Sequence, residues 1–278
     1  MKRYSRTEII EQFGKVNAEG GPVIIAGAGI GLSGKFSEIS GADMVLISAD
    51  SYVRMDGYNS VVSLIPANNN NEIVCEIIRR INALIKEVPI AVGVCAFTPN
   101  FDPLPLLKKL SFFGASAVVN VPSISYYDGK IRKELEYAGY GFEKEVSFMQ
   151  MASAEGLYTA AVVTDPSEAV QMVNAGVDAI ICDLGFTVGG VLGSDPAIAV
   201  TLDEGIETIK AMCEAIRDLA NQPLILAHGG PINCKEAMQK VLAETGVSGF
   251  YGGAAIDRIP IENPLTNEVR GFKDIEIR

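Results

Sequence analysis

Four times along this chain a glycine is followed by Ala or Val, then Asp or Ser, then a run suited to a β-strand. The four are Gly41-Ala-Asp-Met-Val-Leu, Gly114-Ala-Ser-Ala-Val-Val, Gly176-Val-Asp-Ala-Ile-Ile and Gly246-Val-Ser-Gly-Phe-Tyr. The glycine suits the left-handed residue that closes a helix, and the small polar residue suits the first position of a strand. Between these repeats stand four more apolar runs, Pro22 to Ala26, Pro89 to Cys95, Tyr158 to Val163 and Pro223 to Ala227, three of them opened by proline. Short continuous apolar runs between turn signals read as strands buried on both faces. The repeat therefore marks the second, fourth, sixth and eighth strands of one regular series.

Helical spacing of apolar residues fills the gaps, over Thr7 to Asn17, Glu72 to Lys86, Phe142 to Gly156, Ser167 to Asn174, Asp203 to Leu219 and Asn233 to Glu244. Eight strands alternating with crossover helices require a parallel sheet. The series predicts an α/β chain forming a single (β/α)8 TIM barrel over residues 1–278. Its N-terminal helix would cover the bottom, and an inserted helical segment would follow strand four. A length of 278 residues with 48% hydrophobic content suits one such domain.

Composition excludes several classes of function. No apolar run approaches the roughly 20 residues that span a bilayer, and Met-Lys-Arg-Tyr-Ser-Arg-Thr-Glu is too polar for a secretory signal. Five cysteines without a Cys-x-x-Cys pair point to a reducing cytoplasm and away from a zinc knuckle. A net charge of -11 argues against a broad nucleic-acid surface. It leaves room for a local anion site made of backbone N–H groups.

A barrel places its chemistry at the C-terminal ends of the strands. Strand one ends at Gly27 and Gly29, strand seven at Gly229-Gly230 and strand eight at Gly252-Gly253, positions where a backbone without Cβ can approach a phosphate. Gly29-Ile-Gly-Leu-Ser-Gly34 also matches G-x-G-x-x-G, with Asp50 about 20 residues on, as a dinucleotide site would. Asp183 leaves an apolar strand, where a carboxylate needs a partner, a metal or water. Asp50 and Asp183 are the candidate catalytic carboxylates and the candidate metal ligands. His228, the sole histidine, ends strand seven and is the candidate acid/base. Asn120 is a possible rim hydrogen-bond donor, and Cys95 reads as a packed thiol more than a nucleophile.

Between strand two and the helix from Glu72, Ser48 to Ser60 is a polar excursion. There Arg54 and Asp56 are either active-site groups or part of a solvated loop with an Asp-Gly turn. Asn68 to Asn71 reads as a helix cap, as does Asp165. The segment 124–147, rich in tyrosine and glycine around Tyr126 to Gly141, is either a lid or a subunit contact. A last helix is expected around Pro264 to Phe272.

At Val23-Ile-Ile-Ala-Gly-Ala-Gly-Ile-Gly, Leu226-Ala-His-Gly-Gly-Pro-Ile and Gly249-Phe-Tyr-Gly-Gly-Ala-Ala, the chain resembles the phosphoenolpyruvate-hydrolase-like, or indole-glycerol-phosphate-synthase-like, TIM-barrel family. The family includes the C-terminal domain of a plant tobamovirus-resistance protein, and the resemblance covers nearly the whole chain. It implies a barrel of the phosphoenolpyruvate/pyruvate-binding group, whose members often use magnesium to hold an enolate or keto acid. The Lys-x-Cys-Gly-type loop of the mutase and lyase members has no counterpart here, which argues against their lyase chemistry.

The expected function is that of a phosphoenolpyruvate or phosphonopyruvate hydrolase-like enzyme. Its partner would be a small anionic metabolite, a phosphorylated or phosphonylated keto/enol acid, with Mg2+ as candidate cofactor and a homo-oligomer as the assembly. The alternatives are a non-catalytic ligand-sensing or assembly barrel in signal transduction, and a nicotinamide-dinucleotide binder.

Overall fold

A computed structural model describes residues 3–65 and 69–277. Pro66 to Asn68, the end of the polar excursion and the first of the four asparagines, lie outside the described residues.

Eight parallel strands close a barrel in sequence order: β1 (Val23–Ala28), β2 (Met44–Ile47), β3 (Ile90–Gly93), β4 (Ala117–Val119), β5 (Tyr158–Val163), β6 (Ala179–Asp183), β7 (Leu224–His228) and β8 (Gly249–Gly252). The sequence repeat has a physical cause. In each copy the third residue donates its N–H to the preceding strand, Asp43 to Ile24, Ser116 to Ile90, Asp178 to Thr159 and Ser248 to Ile225. Asp43 and Asp178 add a second bond, each accepting with its carboxylate from the N–H of that same partner. Gly41, Gly114 and Gly176 take φ of 89°, 104° and 83°, the left-handed turn that ends a helix. Gly246 departs from this pattern.

Alternate residues face the interior. Val23 and Ile25, Met44 and Leu46, Tyr158 and Ala160, Ala179 and Ile181, and Leu226 pack together inside. Val162 joins them, while Ala28, Val45, Ile47, Ala161, Val163, Ile180, Cys182 and Ala227 pack outward against the helices. Continuing the same parity brings Ser48, Asp183, His228 and Tyr251 to the inward face at the C-terminal mouth. Asp183 pairs in register with His228, and His228 with Tyr251.

Helix α1 (Arg6–Ala18) begins with a Ser5/Glu8 capping box and plugs the opposite end, burying Ile9 and Phe13 within the interior cluster. Phe13 meets Tyr158 edge-on at 5.6 Å. The crossover helices are α2 (Gly31–Ile39), α3 (Ala49–Met55), α4 (Asn70–Ile81), α5 (Pro103–Phe113), α6 (Gly129–Tyr137), α7 (Phe142–Ala154), α8 (Pro166–Asn174), α9 (Leu202–Ile216) and α10 (Lys235–Glu244). Two more follow β8, the short α11 (Ala254–Asp257) and α12 (Ile259–Lys273). The last is longer than the expected Pro264 to Phe272 and carries Pro264 inside it.

The polar excursion after β2 is not the open loop its composition suggests. Ser48 caps α3 by accepting from Ser51 N–H, and Asp50, Ser51 and Arg54 are buried. Asp56 ends the helix in solvent. Asn69 caps α4, as expected for the asparagine run, while Asn71 ties that helix to the backbone of Cys95. Asp165 caps α8 through Ser167 and Glu168 N–H.

Candidate active site

Arg54 organises the mouth. Its Nε and Nη2 hold Asp257 in a bidentate pair at 2.9 and 2.6 Å, Nη1 reaches Asp50 at 2.7 Å and Ser60 at 3.0 Å, and Nη2 also reaches Ser51 at 2.7 Å. All five guanidinium hydrogens are thereby used. Arg54 fixes the carboxylates and has no donor left for a ligand. Gly27 and Gly29 make this packing possible. A Cβ on Gly27 would stand 3.0 Å from Ser51 Oγ and 3.1 Å from Asp257, and one on Gly29 would lie 2.3 Å from the Ser51 carbonyl. The G-x-G spacing therefore serves the approach of α3 to β1. With the sheet closed, there is no doubly wound crevice for a dinucleotide.

Asp50 accepts from Arg54 with Oδ2, while its Oδ1 is buried without a hydrogen-bond partner. Burial pushes this carboxyl up, but Arg54, with Ser48 and His228 beside it, more than offsets burial and holds Asp50 below the ordinary value. Asp183 is the converse. Burial raises it, against the opposing effects of His228 and of the Tyr126 hydroxyl, which donates to Oδ2 at 2.5 Å. Oδ1 accepts from Gly185 N–H at 2.7 Å. Asp50 adds to the rise in Asp183, so two electrostatically coupled carboxyls at one mouth are pushed in opposite directions.

His228 Nδ1 lies 2.7 Å from the Tyr251 carbonyl, which can only accept. The hydrogen therefore sits on Nδ1, which leaves Nε2 as the ring nitrogen outside this bond. The ring stacks on Tyr251 at 4.1 Å. Tyr251 Oη is buried near Ser48 but makes no hydrogen bond. Gly253 closes the group, since a Cβ there would sit 3.0 Å from His228 Cε1 and 3.5 Å from Arg54 Nη2.

Other sequence candidates have different surroundings. Asn120 is fully engaged, its amide donating to Glu145 at 2.6 Å and the Val162 carbonyl at 3.0 Å while accepting from Val162 N–H at 2.7 Å. It pins β4 to β5 and offers no free donor. Gly229 and Gly230 adopt φ of 78° and 50°. The Gly230 N–H is taken by the Gly185 carbonyl, and a Cβ on Gly229 would lie 2.2 Å from that oxygen. This pair joins the ends of β6 and β7. Gly252 packs against Ile256. Burial pushes the Cys95 thiol up to about 12, which fits a packed thiol.

Several contributors went unnoticed in the sequence. Tyr126 comes from the inserted segment after β4 and stacks on Phe186 of the β6 loop at 5.0 Å. Glu145, on α7, is completely buried and accepts from Asn120, Ser123 Oγ and Ile124 N–H at 2.6, 2.8 and 2.7 Å. Asp257 and Arg258 lie just beyond the last motif. Arg258 grips both oxygens of Glu262 through Nη1 at 3.0 Å, and its buried Nη2 has no partner. Inward parity on β8 marks Tyr251; no local pattern marks Glu145 or Asp257.

No cluster of three or more His, Cys, Asp or Glu side chains is placed to hold a metal among the described residues. The donor set suits an ion that keeps waters and takes one or two carboxylates, as Mg2+ does. Asp50 offers an unpartnered oxygen, whereas both oxygens of Asp183 already accept, from Tyr126 and from Gly185.

A closed (β/α)8 barrel with two coupled carboxyls and a histidine at its C-terminal mouth defines the class: a TIM-barrel protein with a buried, partly unsatisfied polar cluster at the usual place. A profile of the family described as "Phosphoenolpyruvate hydrolase-like" matches residues 8–275. The chain belongs to that family. It is 36% identical over 273 residues to the ToMV resistance protein Tm-1(GCR237) of Solanum lycopersicum, covering 98% of this chain and 36% of that protein. It thus spans about a third of that relative's length. Among solved structures, it is similar to a phosphoenolpyruvate phosphomutase from Streptomyces platensis subsp. rosaceus (TM-score 0.63, 12% identity, 95% of this chain and 88% of the other). A phosphonopyruvate hydrolase in complex with oxalate and Mg++ gives a TM-score of 0.57 at 13% identity, over 96% and 87% of the two chains. At such identities these two likenesses bear on the fold alone.

Proposed function

We propose that the barrel mouth binds and hydrolyses a small phosphorylated or phosphonylated keto/enol acid of the phosphoenolpyruvate or phosphonopyruvate kind. The observation that carries this reading is the pair of buried, unpartnered oxygens, Asp50 Oδ1 and Tyr251 Oη, beside Asp183 and His228. Buried polar groups are normally paired, so a set left open at the mouth of a barrel calls for a ligand or ion. Family membership supplies the substrate class.

In this reading, Asp50 stays ionised and Asp183 is the carboxyl whose proton is more firmly held, the division of roles expected when two environments push apart. His228 Nε2 accepts a proton from the attacking water. The water oxygen bonds to phosphorus, the phosphorus–carbon or phosphorus–oxygen bond breaks, and its electron pair passes to the enolate of pyruvate. Protonation of the enolate at carbon completes the balance, giving pyruvate and phosphate. Asp50, joined by Asp183 once that carboxyl has lost its proton, would hold Mg2+, which when bound supplies charge stabilisation for an enolate oxygen. The phosphoryl or phosphonyl group is assigned to the loops after β7 and β8, at Gly252-Gly253 and the start of α11, as in other barrels. Arg258, with its free Nη2, is the nearby cation.

The test is a thermal-shift panel with phosphate, phosphoenolpyruvate, phosphonopyruvate and oxalate, each with and without Mg2+, followed by an assay for released pyruvate. A ligand at a hundred times its dissociation constant stabilises by about 2.7 kcal/mol. Magnesium-dependent stabilisation with turnover supports the enzyme. Stabilisation without turnover points to a sensing barrel, and no shift with any of these acids refutes the substrate class.

A further inference from the structure

Helix α6, in the segment inserted after β4, buries none of its residues. Its apolar side chains Ile131 and Leu135 stand four apart on one face, and both line a cavity of about 480 Å³. The other walls are the end of the polar excursion, at Ser63 to Ile65, and the segment after β3 that carries Cys95 and Phe97. A hydrogen bond from Tyr127 Oη to the Leu64 carbonyl at 2.7 Å ties two of these walls together, and Tyr127 meets Phe97 edge-on at 6.0 Å. None of Asp50, Asp183, His228 or Tyr251 is in the lining, so this is a second hollow beside the barrel mouth.

Among the described residues the lining holds no charged side chain, and burial keeps Cys95 a neutral thiol. An ion would enter without a counter-charge, so the occupant is neutral. The walls are mainly aliphatic and aromatic, and the volume falls within the roughly 300–1,000 Å³ of small-molecule sites. One polar atom is left open. Asn70 is 9% exposed, and its Nδ2 donates to the Ser63 carbonyl at 2.8 Å, which fixes the other end of the amide as the acceptor. That atom, Asn70 Oδ1, is buried with no hydrogen-bond partner among the described residues, on a residue that lines the cavity. A buried acceptor is normally paired, and only an N–H or O–H can pair it.

We propose that this cavity is a second binding site, for a neutral, mainly apolar molecule of one or two rings that carries an N–H or O–H donor for Asn70 Oδ1. The apolar body of the occupant covers Ile131 and Leu135 and supplies the packing that α6 lacks. Its effect reaches the mouth through both walls. Ser60, which opens the turn leading to Leu64, accepts from Arg54, and Tyr126, next to Tyr127, donates to Asp183. An occupant that holds the two walls together steadies both contacts. The site is thereby placed to regulate the mouth, whichever reaction the mouth performs.

The experiment is equilibrium dialysis of the full chain against 2-naphthol and against naphthalene, the same rings without the donor. Saturable one-to-one binding is expected, with 2-naphthol at least about five-fold tighter. Asn70→Leu keeps the shape and removes the acceptor, so it should bring the two affinities together. Leu135→Trp, on a half-buried position of α6, should fill the cavity, keep the circular dichroism and abolish binding of both probes. Hydrogen exchange locates the ligand: with 2-naphthol bound, amides of residues 124–140 should exchange at least about ten-fold more slowly. Unchanged exchange there would overturn the site. So would the absence of saturable binding up to the solubility limit, equal affinity of the native chain for the two probes, or binding that survives Leu135→Trp. Should Asn70→Leu fail to fold, the comparison of probes and Leu135→Trp still decide the matter.

Discussion

Asp257 and Asp50 both bind Arg54, but the structure assigns them different work, and replacing each by asparagine separates the two. The Arg54 and Asp257 side chains are 2% and 0% exposed, and their contact is bidentate. Asp257→Asn removes the charge and turns an amide N–H toward the guanidinium donors. Breaking a buried ion pair by altering one partner costs about 3–5 kcal/mol, since the surviving charge stays buried. For a chain of this size, 1 kcal/mol corresponds to roughly 2–4 °C, so the melting temperature should fall by roughly 6–20 °C. Asp50→Asn can turn its amide oxygen to Arg54 Nη1, keeping one hydrogen bond, and places its NH2 where Oδ1 had no partner. Arg54 retains Asp257, so the cost should be nearer 1 kcal/mol. Ligand and metal binding, by contrast, should be lost with Asp50 and survive wherever the Asp257 variant is folded. Calorimetry at two salt concentrations, with binding measured on the same samples, decides it. Salt should change the Asp257 result little, because buried pairs are weakly screened. Equal destabilisation by the two variants, or a cost below about 1 kcal/mol for Asp257→Asn, would refute the division of roles.

His228→Asn should keep the fold and lower turnover at least about a hundred-fold, as loss of a general base does; steady-state kinetics on the substrate found by the ligand panel measures it. Tyr126→Phe removes a hydrogen bond that lowers the Asp183 carboxyl, so the limb of the pH–rate profile that Asp183 sets should move to higher pH. Burial pushes Glu145 up to about 7 from an ordinary 4.5, against the bonds from Ile124, Asn120 and Ser123. The folded state therefore binds the extra proton, and stability should fall as pH rises from about 4.5 to about 7, by on the order of 3 kcal/mol. Urea titrations across that range should show the slope, and Glu145→Gln should flatten it. Asp165→Ala, which strips the cap from α8, should cost about 1 kcal/mol by denaturant titration without touching binding.

The barrel was legible because its signal recurs. Each copy of the Gly–small–polar repeat forms the same hydrogen bond to the preceding strand, at Ile24, Ile90, Thr159 and Ile225, so the fold is written four times. Asp183 and His228 were legible for a related reason, as polar residues ending apolar strands on the parity of inward positions. What the sequence hides depends on pairing across distance. Arg54 lies 203 residues from Asp257, and without that partner a polar stretch reads as solvated. Glu145 stands in a helix rich in charge, and only the turn after β4 distinguishes it from a surface residue. Asn120 misleads in the opposite sense: its position at the rim suggests a ligand donor, while its amide is consumed within the sheet. The glycines show most clearly why spacing alone is ambiguous. Gly27 and Gly29 are required wherever another chain segment or a phosphate must come within about 3 Å of a strand's end. Here the close neighbours are Ser51 and Asp257, brought in by α3 and α11. A motif of absent side chains records that something approaches closely, and only the fold says whether it is a ligand or the protein itself.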